Sequence, residues 1–436
     1  MASQKRCLGF AMGCLAVTSG VAVSPLYALS PQVIANVTVT NPANISRDNE
    51  PLFILLKTIG VAELDSRIAS LYVVAKDRVV SSQTIDTDGD GKIDSLIIID
   101  NYAAHATHQL SIVSDPALVQ PAIKKQTQAE VSIKEGGQWD NKIYKGGHFV
   151  NVQHVNPPPQ YTDHSNFIRY EGPGIESDKV AYRIYLDQRN GFDIFGKKIP
   201  DMVLQNVGHD DGESYENDAP WGLDIFKVGD SLGTGGFGYW TGKKVESVAV
   251  TDSRDATIVA NGNFYSAFDI RYNRWHVNHG VYDMSAMISM NAGSRLAHTQ
   301  VRMQAIDGSV LPAMAIGVVR HPNTKLIQSP ADSKLEWAYV ASWGKQSRIG
   351  PDENLGIGVL FQRNQRVLQT EDDTSYVSVI NASKGLLDYY FLAAWDHEPD
   401  GIKTEAEFKA YLDREVMRLS APLDAMIAKP HNQRIH

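Results

Sequence analysis

Short runs that alternate between apolar and polar residues dominate the chain. Residues 33–40 (Val-Ile-Ala-Asn-Val-Thr-Val-Thr) largely alternate and predict a strand. Shorter strand-like runs follow at 52–56, 70–74 and 95–99, most of them closed by turn residues. This first β-rich block extends to about residue 113. Ser114-Asp115-Pro116, Pro121 and the charged stretch 124–134 then predict a connection. Further strand-like runs occupy 179–186, 202–207, 245–250, 264–270, 285–290, 311–319, 337–340, 356–360 and 376–379. Only 404–419 has helical spacing, with Phe408, Leu412, Val416 and Leu419 on one face and Thr404 with Glu407 as a capping box. Many short strands and one late helix predict a mainly β protein, a large antiparallel β-sandwich. We divide it into a β-rich segment at 29–118 and a main sandwich domain at 119–430.

The N-terminus carries a different pattern. Lys5 and Arg6 precede an apolar stretch from Cys7 to Val23, and Pro25-Leu26-Tyr27-Ala28 ends in a small residue. That order predicts a signal peptide over 1–28, cut after Ala28, and a periplasmic or secreted protein. The stretch is short for a membrane span and interrupted by Gly9, Gly13 and Gly20, and no later run is apolar enough to cross a bilayer. Both cysteines, Cys7 and Cys14, lie inside this leader, so the processed chain is expected to hold no disulfide, thiolate metal site or iron–sulfur cluster. The full chain has 41 basic and 50 acidic residues, a net charge of −9. Loss of Lys5 and Arg6 leaves 39 against 50, or −11. Such a surface disfavours nucleic acid as a partner, while an anionic small substrate remains compatible with a local basic pocket.

Three stretches carry candidate chemistry. Asp86, Asp88, Asp90 and Asp94, with Gly89 and Gly91 between them, resemble the start of a calcium loop. The twelfth position, where a bidentate acid belongs, is Ile97, which favours a hairpin turn over a structural calcium site; no cofactor is otherwise expected. The second stretch, 148–221, is the densest. In a strand from residue 179, Arg183, Tyr185 and Asp187 share the face opposite Tyr182, Ile184 and Leu186. They form either an Arg183–Asp187 structural pair or the polar floor of a sugar site. A polar loop at 205–217 follows, with His209, Tyr215 and Glu216, and leads to Trp221. The glycine-rich run 233–238 lacks the Lys-Ser/Thr ending and the helix of a phosphate loop. The third stretch, 271–279, mixes Arg274 and His276 with aromatic residues, as a sugar site does. His276 and His279 fall on opposite faces of a strand, which argues against a metal there.

The string Arg169-Tyr170-Glu171-Gly172-Pro173-Gly174-Ile175-Glu176-Ser177-Asp178-Lys179-Val180-Ala181-Tyr182-Arg183 is highly particular. With Asp187, Arg189, the run 193–198 and Trp221-Gly222-Leu223-Asp224, it resembles an exported bacterial family of unknown function, often encoded among polysaccharide-utilisation genes. The string is also similar to the dehydratase of ulvan oligosaccharides. The resemblance implies a supersandwich of the galactose-mutarotase kind. It also implies loss of water from a uronic acid at the non-reducing end of an oligosaccharide, with a Tyr/His pair moving the protons. Ile175 stands where that pattern has Trp, and Glu216 where it has His.

The chemistry sets its own demands. A proton next to a carboxylate is very weakly acidic until a cation is held against the carboxylate, a role suited to Arg183 or Arg169. A base and an acid are then needed, for which His164 and Tyr215 are the candidates and His209 the reserve. Arg169, Tyr170, Glu171, Tyr185, Asp187, Trp221, Arg274 and His276 are the candidate substrate contacts. A polysaccharide lyase uses the same abstraction. A glycoside hydrolase would draw two carboxyl groups from Glu171, Glu176 and Asp187. A non-catalytic carbohydrate-binding protein is the alternative from another class.

Overall fold

A computed structural model describes residues 32–429 except 77, 211–213, 349–352 and 383, so the leader proposed for 1–28 lies outside the described residues. The chain is mainly β, built of antiparallel sheets with one long helix near its C-terminus.

The first block folds as two facing sheets. Strands Gln32–Thr40, Leu71–Ala75, Arg78–Val80 and Thr107–Ser114 form one, and Arg47–Leu55, Ser82–Ile85 and Ser95–Tyr102 form the other. Alternation sends Val37, Val39, Ile54, Leu96, Ile98 and Ile112 into the core between them. The continuous Leu-Ile-Ile-Ile at 96–99 has a second cause. Ile97 and Ile99 point the other way and pack with Ile85 on Ala260, Phe264 and Ala267 of the next sheet, so both faces of this strand are buried. After the helix the chain returns here: Asp424–Ala428 pairs antiparallel with Gln32–Thr40.

The larger part is a sandwich. A nine-stranded sheet runs His154–Val155, Ser253–Asn261, Tyr265–Val277, Gly280–Asn291, Leu296–Ala305, Leu386–Trp395, Leu355–Gln362, Trp337–Gly344, Thr324–Gln328 in spatial order. One of its faces packs on two five-stranded sheets through a single apolar core that includes Ile184, Phe192, Phe268, Ile288, Ile316 and Phe391. The site is carried by one of these smaller sheets, made of Gly222–Asp224, Phe192–Lys197, Ala181–Ile184, Gly174–Ser177 and Thr127–Glu130. Helix Glu405–Ser420 starts with the expected capping box, Thr404 with Glu407, and lays Phe408, Leu412 and Val416 on Tyr339, Trp343 and Leu360. Gly356 permits that approach, because a Cβ there would sit 2.6 Å from the Phe408 ring. Among the described residues no helix is long and apolar enough to cross a membrane.

Two local expectations fail for a physical reason. Residues 202–207 form a short 3-10 turn, Leu204–Asn206, and no strand. The Glu176 carboxylate takes the N–H groups of Val203 and Leu204, and Arg169 takes the carbonyls of Leu204, Gln205 and Val207. Side chains thus hold the groups a strand ladder would need. The strand expected over 179–186 is only Ala181–Ile184, so Asp187 lies beyond its end.

Candidate active site

The Glu-Gly-Pro-Gly turn is a device for aiming one carboxylate. Tyr170 and Glu171 adopt left-handed backbone, φ 39° and 70°, which side chains accept only when neighbours enforce it. The enforcement is visible. The Glu171 carbonyl accepts Leu186 N–H at 2.9 Å, the Pro173 carbonyl accepts Ile184 N–H at 3.1 Å, and a Cβ on Gly172 would lie 1.8 Å from the Ile184 carbonyl oxygen. His164 and Asn166 also have positive φ, 54° and 58°. These four residues line one cavity of about 600 Å³, together with Phe149, Tyr215, Glu216 and Asn217.

Behind the cavity lies a buried charge cluster centred on Arg183. The register sets Arg183 opposite Asp193 on the neighbouring strand. Its Nε and Nη2 donate to Asp193 Oδ2 at 3.0 and 2.7 Å, and Nη2 also donates to Asp224 Oδ2 at 2.6 Å. Nη1 donates to the Tyr215 hydroxyl at 3.0 Å and lies 3.9 Å from Glu171 Oε2. The Tyr185 hydroxyl donates to Asp193. Of the two readings of this face, the Arg183–Asp187 pair is absent, since Asp187 holds Arg189 at 2.5 Å, and Arg183, Tyr185 and Asp187 stand behind the cavity and not in its lining. Arg348 Nη1 reaches Asp224 at 3.2 Å, and its Nη2 reaches Glu216 at 3.3 Å, joining the cluster to the cavity wall.

These surroundings decide protonation. Burial pushes the Tyr215 phenol up despite the opposing Arg183 charge, so it is a neutral hydroxyl at pH 7. Because Arg183 donates to its oxygen, the phenolic proton is free to point elsewhere. Burial alone would raise Glu171, but the Arg183 and Arg189 guanidinium groups outweigh it and hold that carboxyl below its usual range. Asp224 is pushed up to about 7 by burial and then by the charge of Asp193, against Arg183 and Arg348.

His164 is exposed. Its Nδ1 bonds Asp163, and its backbone N–H donates to Glu171 Oε1 at 3.2 Å. An Nδ1–H held on a carboxylate leaves Nε2 as the acceptor nitrogen. Ligand atoms of Asp163, His164 and Glu171 lie within 4.8 Å of one another, the spacing of a metal site. Arg189 already occupies that position as a cation, 2.7 Å from Asp163 and 2.9 Å from Glu171.

The remaining sequence-derived candidates are placed differently. Arg169 is buried behind Tyr170, its guanidinium bound by Glu130 and the three carbonyls of the 204–207 turn, with His209 Nε2 at 2.7 Å. It therefore braces the cavity wall, and the exposed His209 caps that brace. Trp221 packs edge-on against Phe195 at 6.1 Å, half-buried beside Tyr215. Glu176 pairs with Lys197 at 2.7 Å, both fully buried. Arg274 and His276 both hold Asp252, at 2.9 and 2.8 Å, on the nine-stranded sheet and away from the cavity lining. In the acidic turn, Asp86 accepts the N–H groups of Gly89 and Gly91, and Asp90 turns to Lys92 at 2.9 Å. Asp86, Asp88 and Asp94 are left within 4.8 Å of each other.

Sequence reasoning does not single out Asp193, Asp224 or Arg348. The first two stand in the very strings that carry the resemblance. The signal available is an acid in an otherwise apolar strand, which needs a buried partner.

The family described as "Domain of unknown function (DUF4861)" matches residues 39–424. A curated relative from Formosa agariphila, "Uncharacterized protein P7", is 23% identical over 421 residues, covering 90% of this chain and 93% of its own. Among solved structures, an alpha-mannosidase from Enterococcus faecalis V583 overlaps with TM-score 0.43 at 8% identity, over 91% of this chain and 46% of that one. A glycosyl hydrolase family 38 protein from Enterococcus faecalis overlaps with TM-score 0.41 at 8% identity, over 92% and 48%. The chain thus spans about half the length of these two structures, and overlaps this weak carry no functional argument.

Proposed function

The chain belongs to the family of unknown function DUF4861, and from that premise we propose that it is a carbohydrate-active lyase. In this reading it removes water from a uronic acid at the non-reducing end of an oligosaccharide. The observation that carries the reading is the Tyr215 hydroxyl. It is neutral, it lines a sugar-sized cavity, and its oxygen is already served by Arg183. A phenol so held is set to give its own proton to a departing oxygen.

The steps balance without a cofactor. His164 Nε2, with Asp163 on the other ring nitrogen, takes the proton from the ring carbon beside the carboxylate. The electron pair forms the new C4–C5 double bond, the C4–O bond breaks, and Tyr215 protonates the oxygen as water leaves. His164 then gives its proton to solvent, and Tyr215 takes one back. Arg183 and Arg169 are held by protein carboxylates, so we assign them to positioning: Arg183 holds Tyr215, and Arg169 braces the wall. The substrate carboxylate is received by the neutral amide of Asn166 in the field of Arg183, as amide donors stabilise developing oxyanions elsewhere. The N-terminal leader pattern supports an exported protein that meets its glycan outside the cytoplasm.

A specific feature favours a second reading. Glu171 and Glu216 both line the cavity, and two carboxyl groups across a glycosidic bond are what a hydrolase uses. Incubation with a panel of uronate-containing oligosaccharides separates the outcomes. Rising ultraviolet absorbance with loss of one water mass supports the dehydratase. Absorbance with chain cleavage indicates a polysaccharide lyase, cleavage without absorbance a hydrolase, and binding without change a carbohydrate-binding protein.

A further inference from the structure

The nine-stranded sheet has a second face, turned away from the sandwich core, and part of it carries a row of basic and polar residues. Arg271 is opposite Ser285, and Ser285 is opposite Arg302, so the three stand in one row across adjacent strands. Their sequence neighbours Tyr272, Met284, Val301 and Met303 are buried in the core, which fixes the row outward. Lys384 joins it from a turn clamped against the same sheet. Gly385 has φ +71°, its carbonyl accepts Met303 N–H at 2.8 Å, and a Cβ there would lie 2.2 Å from the Met303 carbonyl oxygen. The result is a groove of about 420 Å³.

Its charge is only partly compensated. Arg302 and Lys384 have no acidic partner among the described residues. Arg271 is 67% exposed and only grazes Asp269, at 3.4 Å. Asp283 is the one acid in the lining, and its Oδ1 is engaged by the Arg274 backbone N–H at 3.0 Å. Asp255 stands opposite Arg271 on the neighbouring strand, so Arg271 is partly offset, while Arg302 and Lys384 line the same groove with no described protein anion paired to them on a chain of net charge −9.

We propose that this groove is a second binding site, distinct from the catalytic cavity, for an acidic oligosaccharide. Arg271 and Arg302, two strands apart, are separated by about 10 Å. That suits anionic groups on separate residues of an extended chain better than a single small anion. No aromatic platform lines the groove, whereas single-stranded nucleic acid binds by stacking its bases on such platforms. The site rests on its own geometry; the saccharide class of its ligand rests on the proposed function.

The test is calorimetric titration of the full chain, in a Tyr215→Phe background to prevent turnover. The probes are an oligogalacturonate hexamer, a sulfated uronate hexamer, a neutral glucan hexamer and a single-stranded hexanucleotide. The acidic hexamers are expected to bind more weakly as salt rises, and Arg302→Gln/Lys384→Gln to weaken them by about tenfold. Both substituted side chains are exposed, and an unchanged melting temperature confirms the fold. Whichever acidic hexamer binds more tightly identifies carboxylate or sulfate as the anion read. Equal affinity in the variant, equal binding of the neutral glucan or the nucleotide, or no binding of either acidic hexamer overturns the proposal. With Tyr215 intact, an acidic dimer should turn over equally fast with and without the groove substitutions. Turnover without groove binding refutes the groove alone; groove binding without turnover of any acidic sugar refutes the enzymatic reading alone.

Discussion

Asp224→Asn should change how stability depends on pH. Asp224 is fully buried, its Oδ2 bonded to Arg183 at 2.6 Å and to Arg348 at 3.2 Å, its Oδ1 to the Phe226 N–H at 3.2 Å. Burial and the neighbouring Asp193 move its pKa from the ordinary 3.8 up to about 7. Between those values the folded chain keeps a proton that the unfolded chain has lost. Stability is therefore fullest below about pH 4 and falls as pH rises toward 7. The interval of about three pH units, at roughly 1.36 kcal/mol per unit, amounts to about 4 kcal/mol, an order-of-magnitude figure. Asparagine has no proton to lose. Like the protonated carboxyl, it offers the two guanidinium groups a neutral acceptor, so the cost of the imperfect replacement is roughly constant at about 1–2 kcal/mol. Urea unfolding followed by tryptophan fluorescence, from about pH 4 to pH 8, reads the effect directly. The stability of the variant relative to the unmodified chain should rise by about 4 kcal/mol across that range. Parallel stability curves would refute the buried-carboxyl argument.

Other consequences follow from named contacts. Tyr215→Phe keeps the ring edge against Phe195, 5.5 Å between centroids, and removes only the hydroxyl. Turnover should fall by about 10²–10⁴-fold with sugar affinity little changed, and a KM effect without a kcat effect would contradict the assigned role. Gly172→Ala drives a methyl into the Ile184 carbonyl oxygen, and thermal melting should show a loss of at least about 2 kcal/mol. Lys197→Met strands the buried Glu176 carboxylate at a cost of about 3–5 kcal/mol, and adding Glu176→Gln should recover much of it in denaturant titrations.

Much of the fold is written in local pattern. The alternating 33–40 run lies in strand Gln32–Thr40, and Thr404 with Glu407 begins the helix as its capping box indicates. Residues 202–207 look equally strand-like, yet Glu176 and Arg169, distant in sequence, consume their backbone groups. No local window contains that information. The same limit applies to the cavity. Tyr170 and Glu171 stand in the particular string, Tyr215 in the polar loop and His164 just before the string, and the fold gathers all four around one space. Arg274 and His276 share the composition of a sugar site without sharing the place. Arg183 meets Asp193 and Asp224 and not Asp187 because pairing across strands, not spacing along one, decides its neighbours.

The central claim is that Tyr215 and His164 flank the reacting carbons of a uronic acid in this cavity. A crystal structure of the Tyr215→Phe protein with an acidic disaccharide tests it most directly. The account predicts the terminal uronate inside, its carboxylate on Asn166, the adjacent ring carbon at His164 Nε2 and the C4 oxygen at the edge of the substituted aromatic ring. A sugar bound with its acid group facing solvent, or a glycosidic oxygen lying between Glu171 and Glu216, would contradict it.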